Sequence, residues 1–300
     1  MDIKTKLTRL KATSPSPTPS PAPDPSPSVT KEAGPAGESD DVRSLLKKKA
    51  SRRRAAPSES LTDTSPSAAI ERPWPFVEHA SDDGASHVAT RTYEKTSRHG
   101  RVRTHSALDV TGDAVARLAL DPALRAFDPA TALFLDTETT GLAGGAGTIP
   151  FLVGVAWFEG SLLHVEQHLV TEPGTERPLL VRLGERLRAA RSIVTFNGKT
   201  FDLPLLRTRF VLERVEVPES LPHLDLLHVA RRIYGARVDR CNLTTLERDV
   251  LGFEREGDIP GEEIPERYLR FLREGDRAGL LPVVEHNAWD LAALAALVGE

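Results

Sequence analysis

The sequence predicts an α/β domain built on a mixed sheet, three antiparallel strands followed by parallel ones, flanked by helices and preceded by a disordered tail. Three observations carry this. Residues 132–170 hold three apolar or alternating runs joined by short connections, the signature of successive antiparallel strands. The chain then alternates helix, strand and helix, which suits a sheet covered on both faces. Residues 13–30, by contrast, are nearly all Pro, Ser and Thr, with proline at every odd position from Pro15 to Pro27. Such a segment buries too little apolar area to offset its ordering entropy.

The organisation predicted is a Pro/Ser/Thr-rich tail over 1–70 carrying a basic block, an N-terminal elaboration over 71–130 packed on the main domain, and the main domain over 131–300. The basic block is Lys47-Lys48-Lys49-Ala50-Ser51-Arg52-Arg53-Arg54. Residues 1–60 carry 12 Lys/Arg and 7 Asp/Glu, a net of +5, so a whole-chain charge of -4 leaves -9 for the remainder. The block reads equally as a nonspecific nucleic-acid tether or as a solvated run on a linker. In the elaboration, Thr90–Tyr93 and Val102–Thr104 read as short strands flanking a His99-Gly100 turn. Asp113–Leu120 reads as a helix stopped by Asp121-Pro122.

In the main domain the strands predicted are Ala132–Asp136, Pro150–Phe158, Leu162–Val170 and Ser192–Phe196. Glu176–Ala190 has the period of an amphipathic helix. Gly141–Thr148 matches neither the phosphate-loop pattern nor the dinucleotide fingerprint, and reads as a glycine-rich loop between strands. Leu226–Tyr234, Leu243–Leu251, Pro265–Arg273 and Pro282–Val298 have helical periodicity. A single cysteine, Cys241, excludes an internal disulfide and a cysteine-rich zinc site, and fits a reducing compartment. No apolar run follows Lys4, Lys6 and Arg9, and none reaches the length of about 18 residues that spans a membrane. The expectation is a cytoplasmic protein with no membrane partner.

The chemistry concentrates in three stretches. Leu133-Phe134-Leu135 leads into Asp136 and Glu138, spaced i, i+2, which share one face at a strand end. Two carboxylates so close repel unless a cation lies between them. A divalent metal site and an acidic strand end both fit that pair. Asp202 follows Phe196-Asn197-Gly198-Lys199-Thr200-Phe201, where it could cap the helix that contains Pro204 or join the acidic pair. His286 and Asp290 lie one turn apart on a helix that is apolar around most of its circumference. They form either a structural pair or part of the same site.

Four carboxylates in the order Asp136, Glu138, Asp202, Asp290 resemble the DEDD superfamily of 3′→5′ exonucleases, whose fold is RNase H-like. The Asn197–Pro204 stretch is similar to N-x-x-x-F-D-x-P of family B polymerase proofreading domains. His286 and Asp290 have H-x3-D spacing, where the histidine subgroup has H-x4-D. A narrower resemblance, over about residues 90–300, is to the bacterial RNase H-like domain family typified by YprB. It rests on Leu135–Leu142, His223–Leu227, Cys241 with Leu243 and Glu247, and Asp258-Ile259-Pro260-Gly261.

The resemblance implies a two-metal nuclease, a 3′→5′ exonuclease acting on single-stranded DNA or RNA ends. Two Mg²⁺ or Mn²⁺ ions about 4 Å apart would be held by Asp136, Glu138, Asp202 and Asp290. His286 would be the catalytic base or would orient the attacking water. Thr139, Asn197, Lys199 and Thr200 would contact substrate. Asp225 would be an additional acid or hold a loop, and Glu247 would be structural. A catalytically weak or inactive nucleic-acid-binding module, or a structure-specific endonuclease, are the alternatives on the same fold. No protein partner can be read from the sequence.

Overall fold

The structure, a computed structural model, describes residues 73–141 and 147–300. The tail and its basic block lie outside the described residues, as does most of the glycine-rich loop. The chain runs β1 (Val77–Ser81), β2 (Gly84–Tyr93), β3 (Arg98–His99), β4 (Val102–Arg103), α1 (Gly112–Ala119), β5 (Ala132–Thr139), β6 (Pro150–Glu159), β7 (Leu162–Leu169) and α2 (Arg177–Ala189). It continues through β8 (Ser192–Thr195), α3 (Asp202–Leu212), β9 (His223–Asp225), α4 (Leu226–Tyr234) and α5 (Leu243–Leu246), which passes into a π-helical turn, Glu247–Leu251. Two helices close the chain, α6 (Ile264–Glu274) and α7 (Arg277–Gly299).

Seven strands form one sheet in the order β1-β2-β7-β6-β5-β8-β9. β5, β6 and β7 are antiparallel neighbours, whereas β8 and β9 run parallel to β5. The mixed sheet predicted from the sequence is the one observed. The region before β5 differs in detail. Thr90–Tyr93 is the end of a ten-residue strand paired antiparallel with β7. The His99-Gly100 turn closes a separate pair, β3 with β4. The residues read as a short strand, but its partner lies some seventy residues away, where local pattern carries no information.

β5 explains how the sheet serves both faces. Leu133 and Leu135 point into a core with Leu183 of α2, Leu206 and Phe210 of α3, and Tyr268 of α6. Ala132 and Phe134 point into the opposite core with Val115 of α1 and Leu291, Leu294 and Val298 of α7. The period-two alternation therefore sends Asp136 and Glu138 toward α7, and Thr137 toward α3.

α7 is longer than its pattern predicts, because Asp276 caps it six residues before Pro282 by accepting from the Gly279 N–H. Its first turns (Leu280, Val283, Val284) belong to one core and its last (Leu291, Leu294, Ala295, Val298) to the other. At about 1.5–3 kcal/mol for each fully buried large aliphatic side chain, that double burial anchors the helix. The middle of α7, where His286 and Asp290 sit, is thereby held against the end of β5. No helix among the described residues is long and apolar enough to cross a membrane.

Candidate active site

A cleft of about 620 Å³ opens at the end of β5. Asp136, Glu138, Asp202, His286 and Asp290 all line it, together with Thr139, Asn197, Thr200 and Phe201. One ligand atom from each of Glu138, His286 and Asp290 lies within 4.8 Å of the other two. Lys199 is exposed on the adjoining loop and is not among the lining residues. Gly141 and Thr148, at the borders of the glycine-rich loop, also line the cleft.

Each acid is delivered by a different local device. On β5, the register against β6 shifts between Glu138 and Thr139, a bulge that ends regular pairing beside the acidic pair. Asp202 is the first residue of α3, behind Phe201 at the cap position, and its carboxylate accepts the Thr137 hydroxyl at 2.5 Å. The loop before it turns at Asn197, whose φ of 68° lies in the left-handed region that asparagine tolerates better than most residues. Asp225 holds that loop: its carboxylate accepts the backbone N–H groups of Asn197 at 2.7 Å and Lys199 at 3.0 Å, and of Leu227 at 3.1 Å, where it caps α4. These three bonds turn Asp225 toward backbone.

α7 contributes more than its His–Asp pair. Asn287, fully buried, donates its amide to the Asp136 carboxylate at 2.8 Å and accepts from Gln167 of β7 at 2.9 Å. Gly154 on β6 makes room for it, since a Cβ there would sit 2.2 Å from the Asn287 oxygen. An isolated glycine inside an apolar strand run is the one sequence signal of that close approach.

A second group arrives on the segment after the π-helical turn. Asp258 lies 2.7 Å from Nδ1 of His286, and Arg255 lies 3.2 Å from the same nitrogen. One nitrogen cannot donate to the carboxylate and accept from the guanidinium, so the shorter bond sets the arrangement: Nδ1 donates to Asp258. Nε2 then faces the cleft, 3.5 Å from Asp290 Oδ2. Arg255 itself contacts the other Asp290 oxygen and pairs with Glu247 at 2.7 Å. Glu247 is completely buried, with His99 at 2.7 Å on its other side. The family resemblance drew on Glu247 and Asp258 without their partners; Arg255 and Asn287 carried no local signal of a role.

The electrostatics follow from this crowding. Burial is the main cause that lifts the Asp136 carboxyl well above its ordinary range, with Asp290, Glu138 and Asp202 adding repulsion and the Asn287 hydrogen bond opposing. Glu138 is pushed up to about 8 by burial, opposed by His286 and assisted by Asp290 and Asp202. Asp202 rises to about 6 through burial, against the Thr137 bond. For His286 burial works against the charged ring, but the Asp258 bond and the charges of Asp290 and Glu138 outweigh it and raise it to about 9. Buried carboxylates that repel one another, beside an imidazole, form a donor set suited to a hard divalent cation. Neutralising that repulsion is what such an ion would do.

A sequence model of the RNase H superfamily matches residues 133–300. The chain is similar to the uncharacterized protein YprB of Bacillus subtilis (strain 168), 40% identical over 166 residues, a match covering 55% of this chain. The match spans 40% of that relative's own length. Among solved structures it is similar to the family B DNA polymerase of the hyperthermophilic archaeon Pyrobaculum calidifontis, with a TM-score of 0.43 and 16% identity. That match covers 55% of this chain and 24% of the polymerase.

Proposed function

The chain belongs to the RNase H superfamily, and from that premise we propose that it is a metal-dependent nuclease, a 3′→5′ exonuclease hydrolysing phosphodiester bonds at single-stranded DNA or RNA ends. The observation that carries the proposal is the convergence of Asp136, Glu138, Asp202, His286 and Asp290, from three separate elements, on one cleft. The four carboxylates would hold two Mg²⁺ or Mn²⁺ ions, which when bound supply the charge that acidifies an attacking water and offsets charge on the leaving oxygen.

The chain's own groups do the rest. Asn287 and Thr137 fix the Asp136 and Asp202 carboxylates by donating to them. Asp258 holds Nδ1 of His286, so Nε2 is the nitrogen that exchanges a proton with a group in the cleft. Neutralising Glu138 and Asp290 removes the charge that keeps the ring protonated, and returns it toward the range in which it serves as a base. Asp225 fixes the loop that presents Asn197 and Thr200 to a terminal nucleotide, and Thr139 faces them from β5.

The test is a panel of end-labelled single- and double-stranded DNA and RNA incubated with the protein and Mn²⁺. Shortening of a linear single strand, absent with Asp136→Ala and absent on circular substrate, supports the proposal. Equal activity in the Asp136→Ala protein sinks it, and cleavage of circles replaces the exonuclease by an endonuclease.

A further inference from the structure

We propose that Arg255 is a positioning residue for this cleft: it holds the Asp290 carboxylate in place through its planar fork, and its fixed charge restrains how tightly the acidic cluster binds divalent cations. The inference rests on the metal-dependent reading and adds a residue that sets the affinity and geometry of that site.

The Arg255 side chain is 3% exposed, so its guanidinium has no recourse to water. It reaches three carboxylates, Glu247 at 2.7 Å, Asp258 at 3.5 Å and Asp290 in closest contact. A residue that merely stapled the chain together would be satisfied by Glu247, which is itself anchored by His99 from the β3–β4 pair. The fork instead extends past Glu247 to the cleft. It passes near Trp289, with its central carbon 5.7 Å from the ring centroid. It then meets the Asp290 oxygen that His286 leaves uncovered. Each oxygen of Asp290 thus has its own cationic neighbour, Arg255 on Oδ1 and His286 on Oδ2.

The backbone that carries Arg255 is built for this reach. The π-helical turn Glu247–Leu251 ends at Gly252, and Phe253 packs tilted against His99 with centroids 3.8 Å apart. The Arg101 N–H is bonded to the Leu251 carbonyl at 2.7 Å, which pins the turn to the β3–β4 pair. Residues 247–258 therefore form a strap, fixed at one end by β3 and β4 and touching the cleft at the other. Arginine is specific to the task. A lysine offers one point charge and cannot bridge Glu247 and Asp290 at once in the plane of a fork.

The measurement is Mn²⁺ binding, followed by the EPR signal of free Mn²⁺, together with turnover and melting temperature, for wild type, Arg255→Met and Arg255→Lys. Removing a fixed positive charge next to a ligand carboxylate should tighten Mn²⁺ binding in Arg255→Met by about tenfold. Losing the fork should lower kcat by roughly tenfold or more, with KM changing much less. A structural role alone would not tighten metal binding, so unchanged or weaker Mn²⁺ binding in folded Arg255→Met overturns the proposal. Should Arg255→Met fail to fold, Arg255→Lys decides, because it keeps the charge. Its Mn²⁺ affinity should stay within about twofold of wild type while kcat falls, and wild-type turnover in that protein overturns the proposal. Wild-type protein that binds no Mn²⁺ defeats the metal-dependent reading and this inference with it. Wild-type binding without tightening in Arg255→Met defeats the inference alone.

Discussion

Glu138→Gln separates folding from function. In the metal-free protein the Glu138 carboxyl is pushed up to about 8, chiefly by burial. A folded-state value above the unfolded one means that the folded protein holds a proton the unfolded chain has released. The stability this contributes is complete below about pH 4.5 and is lost as the pH rises toward 8. At pH 7.5 the gap is about three pH units at roughly 1.4 kcal/mol each, a ceiling near 4 kcal/mol. Glutamine keeps the shape and releases no proton. Half of the ceiling, about 2 kcal/mol, is a fair expectation, because the amide is itself costly to bury. For a domain of this size that is a rise of about 4–8 °C in Tm in EDTA at pH 7.5. The same substitution removes a ligand, so Mn²⁺ should raise the wild-type Tm and leave that of Glu138→Gln nearly unmoved, with hydrolysis lost. Thermal melts of both proteins with EDTA and with Mn²⁺, at pH 5.5 and 7.5, read all of this. A variant that melts at or below wild type in EDTA at pH 7.5, or gains as much from Mn²⁺, would show that Glu138 is not held against repulsion in this cleft.

Asn287→Leu, of similar volume, removes the amide that fixes Asp136 and should lower turnover by roughly 10–100-fold while the protein stays folded; single-turnover hydrolysis alongside circular dichroism checks it. Gly154→Ala forces a methyl against the same amide and should cost about 1–3 kcal/mol of stability, read by urea unfolding. Asp225→Ala leaves the Asn197, Lys199 and Leu227 N–H groups without their acceptor. It should also destabilise by a few kcal/mol, on the order of 1 per lost bond, and raise KM more than it lowers kcat. Outside the cleft lining, Glu166 is held at about 2: burial opposes its charge, but His168 and Arg186 outweigh it. Its folded value lies below the unfolded one, so the stability it contributes is present above about pH 4.5 and fades as the pH falls toward 2. The Tm gap between wild type and Glu166→Gln should therefore narrow from pH 6 to pH 3, and a constant gap would count against the ion pair.

The parts of the molecule that local chemistry specifies were legible in the residues. Apolar runs marked β5 and β6, alternation marked β7, and the i, i+2 spacing placed Asp136 and Glu138 on one face. The bounds of α4, Leu226–Tyr234, follow from its apolar stripe. The i, i+4 spacing put His286 and Asp290 on one side of α7. These depend on neighbours within a turn or a pleat, and the chain carries that information in order. What binds those residues was decided elsewhere. The capping role open to Asp202 gave way to a bond with Thr137, sixty-five positions earlier. β2 found β7 as its partner, Asn287 found Asp136, and Arg255 found both Glu247 and Asp290. Each of those pairings needs two surfaces brought together by burial of the cores on either side of the sheet. A carboxylate's sequence spacing tells which way it points; only the packed sheet and the helix laid across its end tell what it meets there.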